Sequence, residues 1–343
     1  MNLKPNILLI IGLLLCSLVY SQDIHFTNYN YAPLYLSPAK TGDFAGSYRF
    51  GVNVRDQFSS FIVEPYRTLM AYADMNIAKG IKPHHWIGAG INVYADNAGD
   101  LSYQNTGAHL SLAYHYAIDP KYKTVITLGL QYGMTQRKID PENYQSDVSL
   151  RNALSNMSSP DPDRALLDDF NPTVGDLNVG ISLKRWTSKT AYLDAGVAVN
   201  HLLQSEFTFT GSNIQNPVAR RINAYAEYYI QTSKQLAIKP IIVYSRMFNF
   251  QNLFGQFNLE YKPNRKKTTL IKGGLGYRVG DALQFLAGID YKGWDIGIAY
   301  DLTVSSAAEY TNKFGGIEIG IKKILIANTE PKPEPPVILC PHF

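Results

Sequence analysis

Along most of its length the chain alternates apolar and polar residues with a period of two. From Ser47 to Gln57, Phe50, Val52 and Val54 share one parity while Arg49, Asn53 and Arg55 share the other, which sets them on opposite faces of a strand. The signature recurs in Thr68 to Ile77, Ile87 to Asp96, Ala108 to Tyr116 and Ile126 to Met134. It resumes after a long polar gap in Asp176 to Leu183, Leu193 to Asn200 and Arg221 to Gln231. Further segments are Leu253 to Tyr261, Ile271 to Val279, Leu283 to Tyr291, Trp294 to Leu302 and Phe314 to Ile324. A ninth strand, Leu236 to Met247, is irregular. Its Lys239, Pro240 and Arg246 fall on different parities, and proline cannot donate to a ladder, so a bulge or bend is expected there.

The pattern predicts an all-β fold, an antiparallel transmembrane β-barrel of about 14 strands, an even number as in bacterial single-chain barrels. One parity is Leu, Ile, Val, Ala and Tyr; the other is Gly, Asn, Asp, Gln and Arg. A soluble β-sandwich would hide the apolar parity between two sheets, and period alone does not separate the two. Connection lengths favour the barrel, because such barrels set short periplasmic turns and longer outer loops in strict alternation, and the connections after even-numbered strands read as short. The longest gaps, about Arg137 to Thr173, Leu202 to Ala219 and Ser305 to Lys313, all follow odd-numbered strands. Trp86, Trp186 and Trp294 at strand ends suit interfacial aromatic girdles.

The ends carry different information. Met1 to Asn6 holds Lys4, and Ile7 to Tyr20 is uncharged, a basic stretch followed by an apolar one shorter than the roughly 18 residues of a spanning helix. This reads as a secretory signal peptide over residues 1–21, which places Cys16 in the discarded part. Cys340 is then the single cysteine of the mature chain, and one thiol makes no internal disulfide. Residues 22–46, with Tyr29, Tyr31, Tyr35, Pro33 and Pro38 and no clear period, form an N-terminal periplasmic segment able to plug the lumen. The barrel is expected over 47–325. A Pro-rich tail follows over 326–343, extended into the periplasm.

Composition sharpens this picture only a little. Tyr 24, Phe 15 and Gly 26 with 17% charged residues describe strand and turn formers. A net charge of +4 over 343 residues gives no reason to expect nucleic acid. The chain contains no His-Glu-x-x-His, Gly-x-Ser-x-Gly or Walker loop, so no enzyme activity, cofactor or metal is expected. His84 and His85 read as solvated turn residues, and His109 and His115, six positions apart on one strand, stand about 20 Å from each other. Gly273, Gly274 and Gly276 lie in a strand pattern with no following helix, which suits a curved wall better than a dinucleotide site. Arg49, Arg55, Asp74, Asp96, Asp176, Asp194, Arg221, Glu227, Glu260, Arg278 and Glu318 share the lumenal parity. They form either a solvated, mutually paired wall or a dock for a plug.

The opening segment carries a resemblance. Gln22-Asp23 is followed by Ala32-Pro33, by Ser37-Pro38-Ala39, by Gly42 and by Arg55-Asp56-Gln57-Phe58, and the chain closes on Cys340-Pro341-His342-Phe343. This resembles the PorP/SprF proteins of the type IX secretion system of Bacteroidetes. Ser37 stands where Asn is usual in that family, and Phe58 where Trp is usual. The resemblance implies an outer-membrane barrel of the export and gliding machinery, with Pro33, Pro38, Ala39, Gly42, Arg55, Gln57 and Phe58 as motif residues and Cys340 and Pro341 in the tail. It further implies an SprF-like role in the secretion or surface retention of a partner adhesin bearing a type IX C-terminal domain. A core PorP-like component contacting a peptidoglycan-binding lipoprotein is a second reading, and an outer-membrane pore or transporter a third.

Overall fold

The computed structural model describes residues 24–59, 65–77, 84–99, 103–119, 121, 123–139, 171–207, 217–263 and 269–327. The leader expected over 1–21, most of the connection 139–172, and the tail with Cys340 and Pro341 lie outside them.

Every period-two segment forms a strand. In chain order these are β1 (Tyr48–Gln57), β2 (Tyr66–Asn76), β3 (His85–Ala98), β4 (Tyr103–Ala117), β5 (Thr124–Lys138), β6 (Thr173–Ser188) and β7 (Ala191–Asn200). The second half holds β8 (Arg221–Gln231), β9 (Leu236–Met247), β10 (Phe250–Tyr261), β11 (Leu270–Arg278), β12 (Ala282–Tyr291), β13 (Trp294–Thr303) and β14 (Phe314–Leu325). Neighbours in sequence pair antiparallel, and β14 returns to β1 from Tyr48↔Leu325 to Gln57↔Gly316. The sheet is a closed barrel with no free edge. That is the sheet geometry hydrocarbon tolerates, because each backbone N–H and C=O finds a partner on a neighbouring strand.

Exposure inverts the rule for soluble proteins. Leu110, Leu128 and Leu275 are 67%, 56% and 62% exposed, whereas Arg55 and Glu318 are 2% and 1% exposed. Leaving such leucines in water would forfeit roughly 1.5–3 kcal/mol each, so the outer face requires lipid. The lipid face ends in Tyr48, Tyr116, Tyr261, Tyr291 and Trp294 at one rim and in Tyr132, Tyr277 and Phe314 toward the other. Trp86 and Trp186 are not part of these girdles. Trp86 pairs with His115 and stacks on it, and Trp186 pairs with Tyr192, so the parity that carries lumenal residues turns both indoles into the barrel mouth.

Both ends of the sheet, Tyr48 and Leu325, lie at one rim, and the connections 139–172, 201–220 and 304–313 lie at the other. The rule of short periplasmic turns therefore puts the termini of the sheet in the periplasm. The alternation of loop lengths is not strict. β9 and β10 are joined at the outer rim by Phe248 and Asn249 alone, while the connection 77–84 at the periplasmic rim is longer than that. The outer wall is thus tall where β3 to β6 run to 14–16 residues and low along β9 to β12.

Pro240 produces no bulge. β9 pairs continuously with β10 through Pro240↔Phe257, and on its β8 side the same register holds at Glu227↔Ile241 and Ile230↔Ile238 with no pairs between. The ladder opens locally where the ring lacks a donor, and the strand is not offset. Register shifts occur instead at Trp186/Ser188 and at Asp301/Leu302. Among the described residues no helix is long and apolar enough to cross a membrane.

Candidate functional site in the plugged lumen

Residues 24–46 run inside the barrel, and local chemistry folds them into three short turns. Asn28 caps a 3-10 turn at Tyr29–Tyr31 by accepting the Asn30 N–H at 3.2 Å. Pro33 starts a helical turn at Pro33–Leu36, where its missing N–H and fixed φ cost nothing. Ser37 caps a second 3-10 turn at Pro38–Lys40 through the Ala39 N–H, again with proline first. Gly42 leaves that turn at φ +72°, a left-handed conformation that glycine tolerates. Phe26, Ala32, Leu34 and Ala39 are fully buried by the wall.

The segment is anchored along its whole length. At the outer end, Thr27 satisfies every group it owns. Its hydroxyl donates to Asp301 at 2.8 Å and accepts from Arg55 at 2.7 Å and Arg278 at 3.0 Å. Its N–H donates to Glu318 at 2.6 Å, and its carbonyl accepts from Gln256 at 2.7 Å. Arg55 and Arg278 meet Asp301 at 2.8 and 3.0 Å, so the hub consists of paired charges around one neutral side chain. Arg221, at the outer end of β8, donates to the Ile24 carbonyl and the Tyr35 hydroxyl and lies 4.3 Å above the Tyr35 ring. Asn223 donates to the Leu36 carbonyl, and toward the periplasmic end of β13 the Tyr31 hydroxyl donates to Asp295 at 2.8 Å.

Near the periplasmic rim the contacts become ionic. Lys40 meets Asp194 at 2.7 Å, Asp43 binds Lys184, and Arg49 grips Asp74 through Nε and Nη2 while also donating to the Lys40 carbonyl. Asp74 also accepts the Gly42 N–H at 2.7 Å. Burial alone would push the Asp43 carboxyl up; the ammoniums of Lys184 and Lys40 outweigh it and hold the group well below the usual carboxylate range.

The wall is shaped to receive the segment. A Cβ on Gly129 would lie 2.3 Å from the Ala39 nitrogen, one on Gly180 2.5 Å from Ser37 Oγ, and one on Gly320 2.2 Å from the Tyr31 ring. These lumenal glycines are the seat of the plug. Between the first 3-10 turn and β9 to β14 a cavity of about 100 Å³ remains, edged by Asn30, Lys239, Lys272, Asp295 and Lys322. That space holds a few waters and admits no polypeptide.

The motif residues are gathered by this arrangement, apart from two. Pro33, Pro38, Ala39 and Gly42 are plug residues against the wall, and Arg55 is the hub cation. Gln57 ends β1 and accepts from Arg55 at 3.5 Å. Phe58, at φ +69°, leaves the barrel wall, donates its N–H to the Gly315 carbonyl and packs edge-on against Tyr66. Of the lumenal charges, Arg49, Arg55, Asp74, Asp194, Arg221, Arg278 and Glu318 touch the plug, whereas Asp96 binds Thr68 and Glu227 binds Lys239. His109 and His201 share Asp176 at 3.0 Å each. His115 bridges Thr127 and the Thr41 carbonyl. His85 opens β3 and packs on Tyr114 and Tyr116, so it is not simply a solvated turn residue. Gly273, Gly274 and Gly276 lie within β11. Among the described residues no group of three or more His, Cys, Asp or Glu is placed to hold a metal ion. Thr27 and Asp301 were not marked by the sequence pattern. The signal for Asp301 is its lumenal parity on β13, shared with Asp295; nothing local distinguishes Thr27.

Comparison with solved structures agrees with the barrel. The toluene transporter TbuX of Ralstonia pickettii superposes with a TM-score of 0.52 at 12% identity, covering 86% of this chain and 94% of that one. The toluene transporter TodX of Pseudomonas putida gives 0.52 at 10% identity over 88% and 93%. Identities this low speak for the fold alone, which is that of outer-membrane β-barrels. No curated protein sequence matches the chain. The sequence profile of the family described as type IX secretion system membrane protein PorP/SprF matches residues 18–320. With its closed barrel in the outer membrane and a profile match across most of its length, the chain belongs to the PorP/SprF family of type IX secretion system membrane proteins.

Proposed function

We infer that this barrel serves the secretion system as a sealed, non-enzymatic anchor for an exported partner, in the SprF-like manner of supporting secretion or surface retention of one adhesin. The observation that carries the reading is the filled lumen. A conduit needs a continuous aqueous path, and here residues 24–46 are hydrogen-bonded to the wall from the Thr27 hub down to the Asp43 clamp. Partner contact is thereby assigned to the rims. The outer rim carries the long connections 139–172 and 201–220, where the exported protein would be held. The tail, with Cys340 and Pro341, is assigned to periplasmic components of the machine, a peptidoglycan-binding lipoprotein among them.

The expected result is that an affinity-tagged chain extracted in mild detergent brings down one large surface protein with a type IX C-terminal domain. Deleting the gene is expected to strip that protein from the cell surface while other type IX cargo is still exported. Export failure of all cargo would instead identify a core PorP-like component.

A further inference from the structure

The two rims differ in charge. Among the described residues, the periplasmic connections carry Lys121, Lys123, Lys189, Lys234, Lys262 and Lys292 against a single acid, Asp119. That carboxylate is occupied by its own turn, accepting the N–H groups of Lys121 and Lys123 at 3.0 Å and of Thr124 at 2.7 Å. Six ammoniums thus stand against one carboxylate in the described periplasmic connections.

One of them, Lys292, stands beside a strand lysine of the lipid face, Lys323. β12 and β13 are joined by Lys292 and Gly293, both with positive φ, a tight hairpin turn of the primed type. Beside it Lys323 of β14 pairs with Trp294 on one side and with Phe50 on the other. Its ammonium lies 5.0 Å over the Trp294 ring and donates to the Lys292 carbonyl at 2.8 Å. The Lys292 ammonium lies 5.3 Å over the Tyr291 ring. The carboxylates in reach are used elsewhere. Asp290 accepts the Gly293 N–H at 3.2 Å, and Asp295 points into the lumen to Lys272 and Lys322. Neither Lys292 nor Lys323 has a carboxylate partner among the described residues.

Two ammoniums over the rings of an interfacial aromatic girdle, Lys323 on the parity that faces hydrocarbon and Lys292 in the adjoining turn, match one ligand chemistry: a phosphate diester whose acyl chains run down the barrel wall. We propose that Lys292 and Lys323, with Tyr291 and Trp294, form a binding site for the headgroup of an anionic phospholipid in the periplasmic leaflet. Charge complementarity and position both select the lipid. An acidic soluble protein would approach from the periplasm and would not meet the membrane-facing ring of Trp294.

The test uses the full-length chain in nanodiscs, with Trp86→Phe and Trp186→Phe so that Trp294 alone reports. Brominated phosphatidylglycerol should quench Trp294 at lower mole fraction than brominated phosphatidylcholine, with a preference of about fivefold for each lysine. Lys292→Gln with Lys323→Gln should abolish the preference while the barrel keeps its heat-modifiable migration in SDS gels. Inorganic phosphate should leave the emission unchanged. Equal quenching by both lipids, or a preference that survives the double substitution, would overturn the proposal; displacement of the lipid by polyglutamate would assign the site to an acidic protein instead. If the double variant does not fold, native mass spectrometry of the unsubstituted chain decides. Retention of phosphatidylglycerol over phosphatidylethanolamine that is lost in high salt supports the site, and no selective retention refutes it.

Discussion

Deleting residues 24–46 is expected to turn an electrically silent barrel into an open pore. In planar bilayers the full-length chain should show no steady current, since residues 24–46 are hydrogen-bonded to the wall from Thr27 to Asp43 and fill the lumen between. A closed 14-strand sheet whose inner face is Asn, Asp, Arg, Gln and Gly becomes a water-filled cylinder once its occupant is gone. The deleted barrel should conduct continuously. It should also be less stable, because Arg55, Arg221 and Arg278 lose acceptors on the plug and Gly129, Gly180 and Gly320 lose the atoms they were shaped to meet. A deletion variant that inserts correctly yet stays silent would show that something other than this segment seals the lumen.

Arg55→Ala is expected to be among the most destabilising single substitutions in the wall. Arg55 is 2% exposed and gives hydrogen bonds to Thr27 and Asp301 while standing 3.5 Å from Glu318. Truncation leaves two buried carboxylates short of a cation, a change that costs about 3–5 kcal/mol in such settings. The lower end applies here, since Asp301 keeps Arg278, and Glu318 keeps the N–H groups of Thr27 and Asn28 and the amide of Asn53. Arg55→Lys should recover little, because one ammonium does not reproduce two separately aimed guanidinium nitrogens. Denaturant midpoints in micelles measure both variants. Coupling of Arg55→Ala with Asp301→Asn in a double-mutant cycle should be well above 0.5 kcal/mol, as expected for residues in one network.

The strands were legible because a membrane barrel imposes a period of two on both faces at once, lipid on one and lumen on the other. Where that double constraint relaxes, at strand ends, alternation no longer marks the boundary or the face. β4 begins at Tyr103 and β6 runs to Ser188, beyond their strictly alternating cores, and Trp86 and Trp186 at such ends turn inward. Connection lengths were a weaker guide than they looked, since Phe248-Asn249 closes an outer hairpin as tightly as Lys292-Gly293 closes a periplasmic one. The 24–46 segment stood out by its aromatic, aperiodic character. What it touches did not, because the contacts that fix it join residues as far apart as Thr27 and Glu318, 291 positions, and closure of the sheet alone brings them together. Glycines of the seat look in sequence like any small residues on a strand; only the plug backbone pressed against them gives them a purpose.

Everything proposed for the lumen rests on where residues 24–46 lie. A cysteine pair, Ser37→Cys with Gly180→Cys, in a chain whose own Cys16 and Cys340 are replaced by serine, reports that position in the native membrane, because a Cβ at Gly180 falls against the Ser37 side chain. The disulfide should form nearly completely on mild oxidation, shift the band in non-reducing gels and leave no thiol for a water-soluble maleimide. Two thiols that stay reduced and label freely in a correctly inserted barrel would place the segment outside the lumen and contradict the account.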